Sequence, residues 1–488
     1  MTKKAIVIGA GMGGLAAAIE LSCAGFDTEL YEANSKPGGR MREDLLDNQR
    51  IDAGPTVLTM LGVFEELFAL AGRNFSDHVT LHPLDVLARH HWLDGSNLDL
   101  FTDVGRSHDA ISVFAGTSEA KNYLSFAAET ARMHRTLNKT FMQREKPGML
   151  GLSFRVGIHR THDLLATRPF TTYWRHLTRK FKDPRLRQLF ARYATYCGSS
   201  PLQAPATLGL IAHVEQNGVW AIRNGMQRLA EALAECARSC GVQLHFDSAV
   251  ESILTRNQTT AGVRLASGEE RRADLIIFNG EAGALNAGLV GRQVQGAIKS
   301  RLNEKRSLSA MTWSMVNKVS DFDLAYHTVL FQDNYEDEFA SIFDRGELPP
   351  APTLYVCAQD RLDEHSNAES ERLFVLANAP PRSLSSSDID AYERRVFELA
   401  SRHGLTLQPT SVRRRTPNDF AERFAGSQGA IYGWPVHGAM GSFRRQGATT
   451  NIKGLYLAGG SVHPGPGIPM ATLSGRIAAR SAIMRHQG

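Results

Sequence analysis

The chain has 488 residues, of which 42% are hydrophobic and 22% charged, a composition typical of a folded protein with more than one domain. Its formal net charge of +5 is too weak and diffuse to predict a nucleic-acid partner. The absence of an apolar run of about 18 residues predicts no membrane-spanning helix. Five scattered cysteines without a CxxC pair predict neither disulfides nor a metal site, and they fit a reducing compartment.

The amino-terminal segment predicts a βαβ unit, with strands over residues 4–10 and 26–33 and a helix over 13–24. The motif GAGMGG occupies the first strand-to-helix turn. In it, Gly9 permits the tight turn, Gly11 lets the backbone approach a pyrophosphate, and Gly14 allows close helix packing. Glu32 ends the second strand, where a carboxylate can accept hydrogen bonds from a ribose diol. These features together predict dinucleotide binding.

A second glycine-rich turn helps to decide whether the predicted dinucleotide is FAD or a nicotinamide cofactor. Pro37, Gly38, Gly39 and Arg40 place a fixed cation where a diphosphate passes. A plain nicotinamide enzyme has no evident need for this turn, and the chain has no second glycine fingerprint for NADPH. The sequence therefore favours FAD.

Two later segments also have the pattern of a nucleotide domain. The middle one predicts a helix over 226–239 followed by strands, and the last predicts a strand over 454–458 that leads through Gly459 and Gly460 into a helix over 470–484. The middle strands are predicted over 242–246, 250–253, 261–265 and 275–279. We expect an FAD-binding domain from residues 1–70, 221–285 and 430–488, and a mixed α+β substrate domain from 71–220 and 286–429.

The segment from Arg168 through Arg192 contains eight lysine and arginine residues and a single acidic residue, Asp183. Aromatic residues are interleaved with them, among them Tyr173, Trp174, Phe181 and Phe190. Such a mixture suits the headgroup region of an anionic membrane. It is equally compatible with a solvated helix face whose aromatic side chains point into the core.

Glu32 and the turn ending in Arg40 resemble the flavin-dependent amine oxidase and carotenoid desaturase superfamily. IDAGPTV at 51–57 looks like the desaturases' loop beneath the isoalloxazine ring. GLYLAGGSVHPGPGIPMATLSGR at 454–476 resembles the bacterial phytoene desaturase type. Within that type, three segments look most like 1-hydroxycarotenoid 3,4-desaturases, which are similar to methoxyneurosporene dehydrogenases. They are RYATYCGSSPLQAPATL at 192–208, HTVLF at 327–331 and PTLYVCAQDR at 352–361.

The resemblance implies an α/β fold in which a discontinuous Rossmann-like FAD domain carries an inserted substrate domain, as in amine oxidase and GDI-like flavoproteins. It also implies the residues that hold FAD. They are Gly9, Gly11, Met12, Gly13, Gly14, Glu32, Gly39, Arg40, Gly54, Pro55, Thr56, Val250, Gly459, Gly460, Ser461, Ile468, Pro469, Met470 and Ala471.

The implied activity is C-3,4 desaturation of a 1-hydroxycarotenoid by hydride transfer to flavin N5, with oxygen or a quinone as the final acceptor. Because the proton can leave to a weak base or water, no strong catalytic pair is expected. The candidates for a base are His463, Glu215, Glu281 and His213. We expect a water-insoluble carotenoid substrate and peripheral association with a membrane surface on its cytoplasmic side.

Other functions compete with this interpretation. Phytoene desaturase and carotenoid isomerase share the motifs, and an amine oxidase needs an aromatic cage, which Tyr432 and Trp434 could supply. A prenyl-binding, GDI-like protein without catalysis is the alternative outside enzymes. The intact glycine turn with Glu32 and Arg40 argues against it.

Overall fold

The structure is a computed structural model that describes residues 2–157, 161–301, 303–318, 321–362 and 369–487. The strands are β1 Lys4–Ile8, β2 Asp27–Tyr31, β3 Glu43–Leu46, β4 Gln49–Asp52, β5 Leu81–Pro83, β6 Val86–His91, β7 Asn97–Phe101, β8 Trp220–Ile222, β9 Gln243–His245, β10 Val250–Arg256, β11 Thr259–Leu265, β12 Glu270–Arg272, β13 Leu275–Phe278, β14 Ser309–Lys318, β15 His327–Leu330, β16 Leu354–Ala358, β17 Ser370–Ala379, β18 Pro409–Arg415 and β19 Leu455–Leu457.

The α-helices are α1 Met12–Cys23, α2 Gly62–Leu70, α3 Val104–Ala115, α4 Thr117–Leu137, α5 Met149–Val156, α6 Thr161–Ala166, α7 Tyr173–Lys180, α8 Pro184–Ala191, α9 Leu210–Gln216, α10 Gln227–Ser239, α11 Ala282–Asn286, α12 Tyr335–Ala340, α13 Ser386–Arg402, α14 Pro417–Arg423, α15 Gly441–Arg444 and α16 Ile468–Gln487. Over the described ranges, no helix is both long and apolar enough to cross a membrane.

A parallel five-stranded sheet joins the three predicted nucleotide-binding segments, in the order β19-β13-β1-β2-β9. Its central strands are buried runs such as AIVI and LIIF, as expected for a parallel sheet covered on both faces. The small residues of α1 lie in one apolar core with α10 and α16. On α1, Glu20 accepts hydrogen bonds from Arg476 at 2.7 Å and Arg480 at 2.8 Å, both on α16. The discontinuous Rossmann-like fold is therefore as predicted.

Two predicted strands of the middle segment do not join this sheet. Residues 250–253 and 261–265 fall in β10 and β11, which pair antiparallel with β12 in a separate three-stranded sheet. The cause is the turn at Asn257 and Gln258, whose φ angles of 50° and 57° are typical of a tight two-residue hairpin. A hairpin forces antiparallel pairing, so its strands cannot continue a parallel sheet.

The second large sheet has seven strands in the order β18-β14-β17-β16-β15-β6-β7. Its pairs are antiparallel except that of β15 with β6. Helix α13 packs in an apolar core with β14 and β17, while helices between residues 104 and 216 share another core with β6, β7 and β15. These strands lie at 86–101 and 309–415, which supports the proposed substrate domain.

The basic and aromatic segment 168–192 belongs to the protein core. Tyr173, Phe181 and Phe190 are buried in the same apolar cluster, and Phe181 stacks on Phe190 with ring centroids 5.0 Å apart. Arg192 is itself buried. These three rings therefore pack between helices, as the alternative interpretation of the segment expects, whereas Phe170 of the same segment is exposed and its contact with a membrane stays a prediction.

Candidate active site

The carboxyl ends of β1, β13 and β19 meet and form a backbone cradle. The Asn279 side-chain amide donates a hydrogen bond to the carbonyl of Gly9 at 3.1 Å. A Cβ on Gly14 would overlap that same carbonyl oxygen, and a Cβ on Gly13 would lie 2.8 Å from the carbonyl oxygen of Ala471 and 3.0 Å from the amide of Gly459. Only glycine fits at these positions, so both ends of the chain converge at one edge of the sheet. Ligands of open α/β sheets bind at this edge.

Helix α1 begins in this cradle. Its first turn has no side-chain cap and no acidic residue. The unpaired N–H groups and positive dipole end of a helix start favour an anion. Met12 and Gly13 are thus placed to bind a diphosphate through backbone N–H groups.

Glu32 lies just beyond β2. Its carboxylate accepts hydrogen bonds from the backbone N–H of Ala10 at 2.7 Å and of Asn34 at 2.9 Å. The amide of Ser248, two residues before Val250, donates to the backbone carbonyl of Glu32 at 2.8 Å, which anchors the segment leading into β10 at the end of β2. The arrangement matches the ribose end of a dinucleotide site.

The second glycine turn packs directly on the first, because the amide of Gly38 donates to the carbonyl of Ala10 at 2.8 Å. Arg40 forms an ion pair with Glu281, and its guanidinium lies 4.6 Å from the ring centroid of Phe424. A Cβ on Gly54 would overlap the Arg40 carbonyl, so the 51–57 loop lies against this turn.

Three buried polar atoms around this groove have no hydrogen-bond partner among the described residues: Arg40 Nε, Glu281 Oε2 and Asn279 Oδ1. Buried polar groups rarely remain unpaired without a reason. Together with the glycine cradle, these atoms fit a bound FAD.

A buried arginine holds the carboxyl-terminal loop. Arg445 donates hydrogen bonds to the carbonyls of Gly460 and Trp434, both at 2.9 Å, and of Tyr432 at 3.2 Å. Loss of water around it lowers the pKa of Arg445 to about 10, so it stays charged at neutral pH. The hydroxyl of Ser461 accepts from the amide of Ala282 at 3.2 Å. Helix α16 then begins at Ile468, whose first residues include the predicted Pro469, Met470 and Ala471.

His463 braces the same loop. Its Nε2 lies 3.0 Å from the carbonyls of Phe141 and Arg144, and its ring packs edge-on against Phe141 at 4.7 Å. Burial lowers the pKa of His463 to about 4, so the ring is neutral at physiological pH. Because carbonyls only accept, Nε2 carries the proton and Nδ1 is left as an acceptor. A catalytic role for His463 stays a prediction.

The other candidate bases are held in side-chain pairs. Glu215 is buried and accepts hydrogen bonds from Arg192 at 2.8 Å, Tyr196 at 2.8 Å and Tyr193. Glu281 is paired with Arg40, and His213 lies 3.1 Å from the side-chain amide of Asn217. A carboxylate held by a guanidinium is a poor proton acceptor, which favours structural roles for both glutamates.

An apolar cavity of about 300 Å³ adjoins the cofactor groove. Phe141, which contacts His463, lines it together with Phe443. Met470, at the start of α16, packs on the same apolar cluster. The cavity therefore lies against the loop that carries His463 and against the start of α16.

The family model described as flavin containing amine oxidoreductase matches residues 12–483. The chain belongs to that family. It is 44% identical to the hydroxyneurosporene desaturase of Rubrivivax gelatinosus, over 99% of this chain and 94% of the relative. It is 43% identical to the protein of the same name from Cereibacter sphaeroides, over 98% and 97% of the two chains. Wild-type putrescine oxidase bound to putrescine shares the fold, with a TM-score of 0.62 over the whole of both chains at 12% identity.

The protein is an FAD-dependent oxidoreductase, and its amine oxidase or GDI-like fold agrees with that expected from the sequence. The proposed amine-binding cage is not supported by the geometry. Trp434 is buried, and the guanidinium groups of Arg301 and Arg306 lie 4.7 Å and 4.3 Å from its ring centroid. The ring of Trp434 therefore already contacts two guanidinium groups of the protein, so it is not free to bind the cation of an amine substrate.

Three residues of the groove were missed by sequence reasoning: Asn279, Gly475 and Arg445. Asn279 follows a buried strand directly, a position that could have marked it because polar residues at the carboxyl ends of parallel strands point to a ligand site. Gly475 lies inside a predicted helix, where an isolated glycine signals close packing. Arg445 stands in a loop without any local pattern.

Proposed function

We propose that this protein desaturates the C-3,4 bond of a 1-hydroxylated acyclic carotenoid. The relatives at 44% and 43% identity are named hydroxyneurosporene desaturases. The observation that carries the proposal is the apolar cavity beside the flavin-side loop, where Phe141 contacts both. A polyene is bound by such a cavity through burial of apolar surface alone.

FAD, when bound, would supply the acceptor for the hydride that leaves one C–H bond with two electrons, while the second C–H bond releases a proton and its electron pair forms the new double bond. The protein's contribution is to position the polyene and to exclude water. Phe141, Phe443 and Leu137 offer apolar contact along the cavity wall. A proton can be taken up by the Nδ1 lone pair of a neutral His463 or by water, and we keep His463 as the first candidate.

We further propose that the cavity opens onto a membrane surface, on the cytoplasmic side. Leu165, Phe170 and Met440 line the cavity and are exposed, and exposed Phe154 stands on the neighbouring helix α5. A long polyene extends beyond a cavity of about 300 Å³, so its remainder needs an apolar surrounding. Oxygen or a membrane quinone is the proposed final acceptor.

Product analysis tests this function. The FAD-loaded protein is incubated with liposomes that contain 1-hydroxyneurosporene, neurosporene or phytoene, in air and, without oxygen, with a quinone. We expect a longer chromophore from 1-hydroxyneurosporene. Conversion of phytoene alone would favour phytoene desaturase, and a changed double-bond geometry without net oxidation would favour an isomerase. A purified protein that carries no flavin absorption band would favour the GDI-like alternative.

A further inference from the structure

A buried polar cluster lies within the apolar core of the substrate domain. Arg192 donates to Glu215 at 2.8 Å and to the hydroxyl of Tyr196 at 2.6 Å, so its charge is already compensated. Around it are buried side-chain atoms that have no hydrogen-bond partner in the described part of the chain. They are Arg192 Nε, Tyr173 OH, Tyr335 OH, His90 Nε2 and His327 Nε2.

These unpaired groups lie around one apolar cluster. Tyr173 and Tyr335 belong to it, and the ring centroids of His90 and Tyr335 lie 6.1 Å and 6.0 Å from that of Phe331, which directly follows the strand that begins at His327. The two tyrosines and the two histidines are at most 5% exposed. A single orphaned polar atom in a protein core is already unfavourable. So many in one place indicate a hydrogen-bonding guest.

The cluster is connected to the flavin side by hydrogen bonds. The hydroxyl of Tyr355 lies 2.7 Å from Nδ1 of His327 and 2.5 Å from the hydroxyl of Thr56. Thr56 belongs to the 51–57 loop, which we assign to the space beneath the isoalloxazine ring. A ligand group bound by the cluster would therefore lie close to the reacting end of a bound polyene.

The chemistry of the cluster selects an uncharged guest. Burial, reinforced by Arg192, lowers the pKa of His327 to about 3, so this ring is neutral. Burial likewise holds the pKa of His90 well below its usual range. Both carboxylate oxygens of Glu215 are occupied. A charged amine would have no free carboxylate to pair with in this cluster. A hydroxyl group, in contrast, can form hydrogen bonds with both the donors and the acceptors of the cluster.

The position suits the hydroxyl of the proposed substrate. In a 1-hydroxycarotenoid the oxygen is three single bonds from C3, a span of less than about 4 Å. Reacting atoms approach to about 3–3.5 Å in a productive complex. With a hydrogen bond added, the partner of that hydroxyl must therefore lie within about 10 Å of the flavin face, as the link from His327 through Tyr355 to Thr56 allows.

We propose that His327, Tyr173 and Tyr335 bind the terminal hydroxyl of the carotenoid and thereby select 1-hydroxylated substrates over their unhydroxylated counterparts. The inference rests on the proposed desaturation. Two of the segments that resemble hydroxycarotenoid desaturases are joined here by the hydrogen bond between His327 and Tyr355, and the third contributes Arg192.

The test measures kcat/KM for 1-hydroxyneurosporene and for neurosporene in liposomes, and takes their ratio. Tyr173→Phe and Tyr335→Phe each remove only a hydroxyl that has no hydrogen-bond partner among the described residues. We expect the ratio to fall roughly tenfold in each variant, while neurosporene turnover changes little. Tyr392→Phe is the matched control, because its buried hydroxyl donates to the carbonyl of Asn378 at 2.8 Å outside the cluster.

The outcomes separate the two claims. If the wild type desaturates the hydroxylated polyene and both tyrosine variants keep the wild-type ratio, the cluster holds only water and the inference is overturned. An equal fall in Tyr392→Phe would also overturn it. A wild type that desaturates neither polyene removes the proposed function and the inference with it.

Discussion

At the scale of single residues, the groove combines local and distant contributions. Gly9, Gly14 and Glu32 lie in one short segment, and their roles are readable from spacing because a βαβ unit has fixed geometry. Asn279 joins that segment across 270 residues of sequence. Such a contact depends on which strands become neighbours in the sheet, so local pattern alone could not predict it.

Replacement of Glu32 by Ala is expected to weaken FAD binding by ten- to a hundredfold. Its carboxylate is the group placed for the ribose diol, and hydrogen bonds to a charged partner contribute about 1.5–3 kcal/mol. Flavin absorbance after gel filtration and titration of the apoprotein with FAD measure the effect. Glu29→Gln, in the same strand β2, is the control. Unchanged FAD retention in the Glu32 variant would refute the ribose assignment.

His463 makes stability depend on pH. The unfolded-state pKa of histidine is about 6.5, whereas burial lowers that of His463 to about 4. Between these pH values the unfolded state binds more protons than the folded state, so the free energy of unfolding rises with pH. The contribution of His463 to stability is therefore full above about pH 6.5 and is lost progressively as the pH falls toward 4. From pH 7.5 to 5.5 the loss from this residue is about 1.4 kcal/mol.

His463→Gln should therefore show a smaller drop in thermal midpoint between these pH values than the wild type, both with saturating FAD. The exposed His162 offers a control, since His162→Gln should retain the full drop. If His463→Gln keeps the wild-type pH dependence, the buried neutral state of this ring is contradicted.

At the scale of elements, the Rossmann-like segments were predictable and the hairpin β10–β11 was not placed correctly. Strands β1 and β13 are apolar runs bounded by glycine or polar residues, a pattern that predicts buried parallel strands. The sequence also predicts a strand where β10 forms. It assigns that strand to the wrong sheet, because the tight turn at Asn257 determines antiparallel pairing and the apolar pattern carries no information on pairing partners.

Helices α1 and α16 pack closely at two glycines. A Cβ on Gly475 would overlap the carbonyl oxygen of Gly13, so Gly475→Ala must push the helices apart. We expect a loss of about 1–3 kcal/mol, typical of overpacking, and weaker FAD retention. Gly62→Ala is the control, because a Cβ there meets nothing within 4 Å. Thermal unfolding of both variants decides the point, and equal midpoints would contradict the close crossing.

At the scale of the whole molecule, the two large sheets have different roles. We propose that the parallel sheet binds FAD at its carboxyl edge, while the seven-stranded sheet with its helices encloses the polar cluster. The apolar cavity opens among α5, α6 and α15, where Phe154 is 69% and Phe170 74% exposed. Exposed apolar groups concentrated at the mouth of a cavity mark an interaction surface. Exposed Arg155 and Arg444 on the same helices suit anionic lipid.

The double variant Phe154→Glu, Phe170→Glu is therefore expected to bind anionic liposomes at least tenfold more weakly than the wild type, because burying each ring contributes about 1.5–3 kcal/mol. Liposome flotation measures binding. Val113→Glu is the matched control, since Val113 is 92% exposed on α3 and does not line the cavity. A flavin content and a thermal midpoint like those of the wild type in the double variant separate lost docking from lost folding. Equal flotation of wild type and double variant would show that the cavity receives its polyene by a route other than this face.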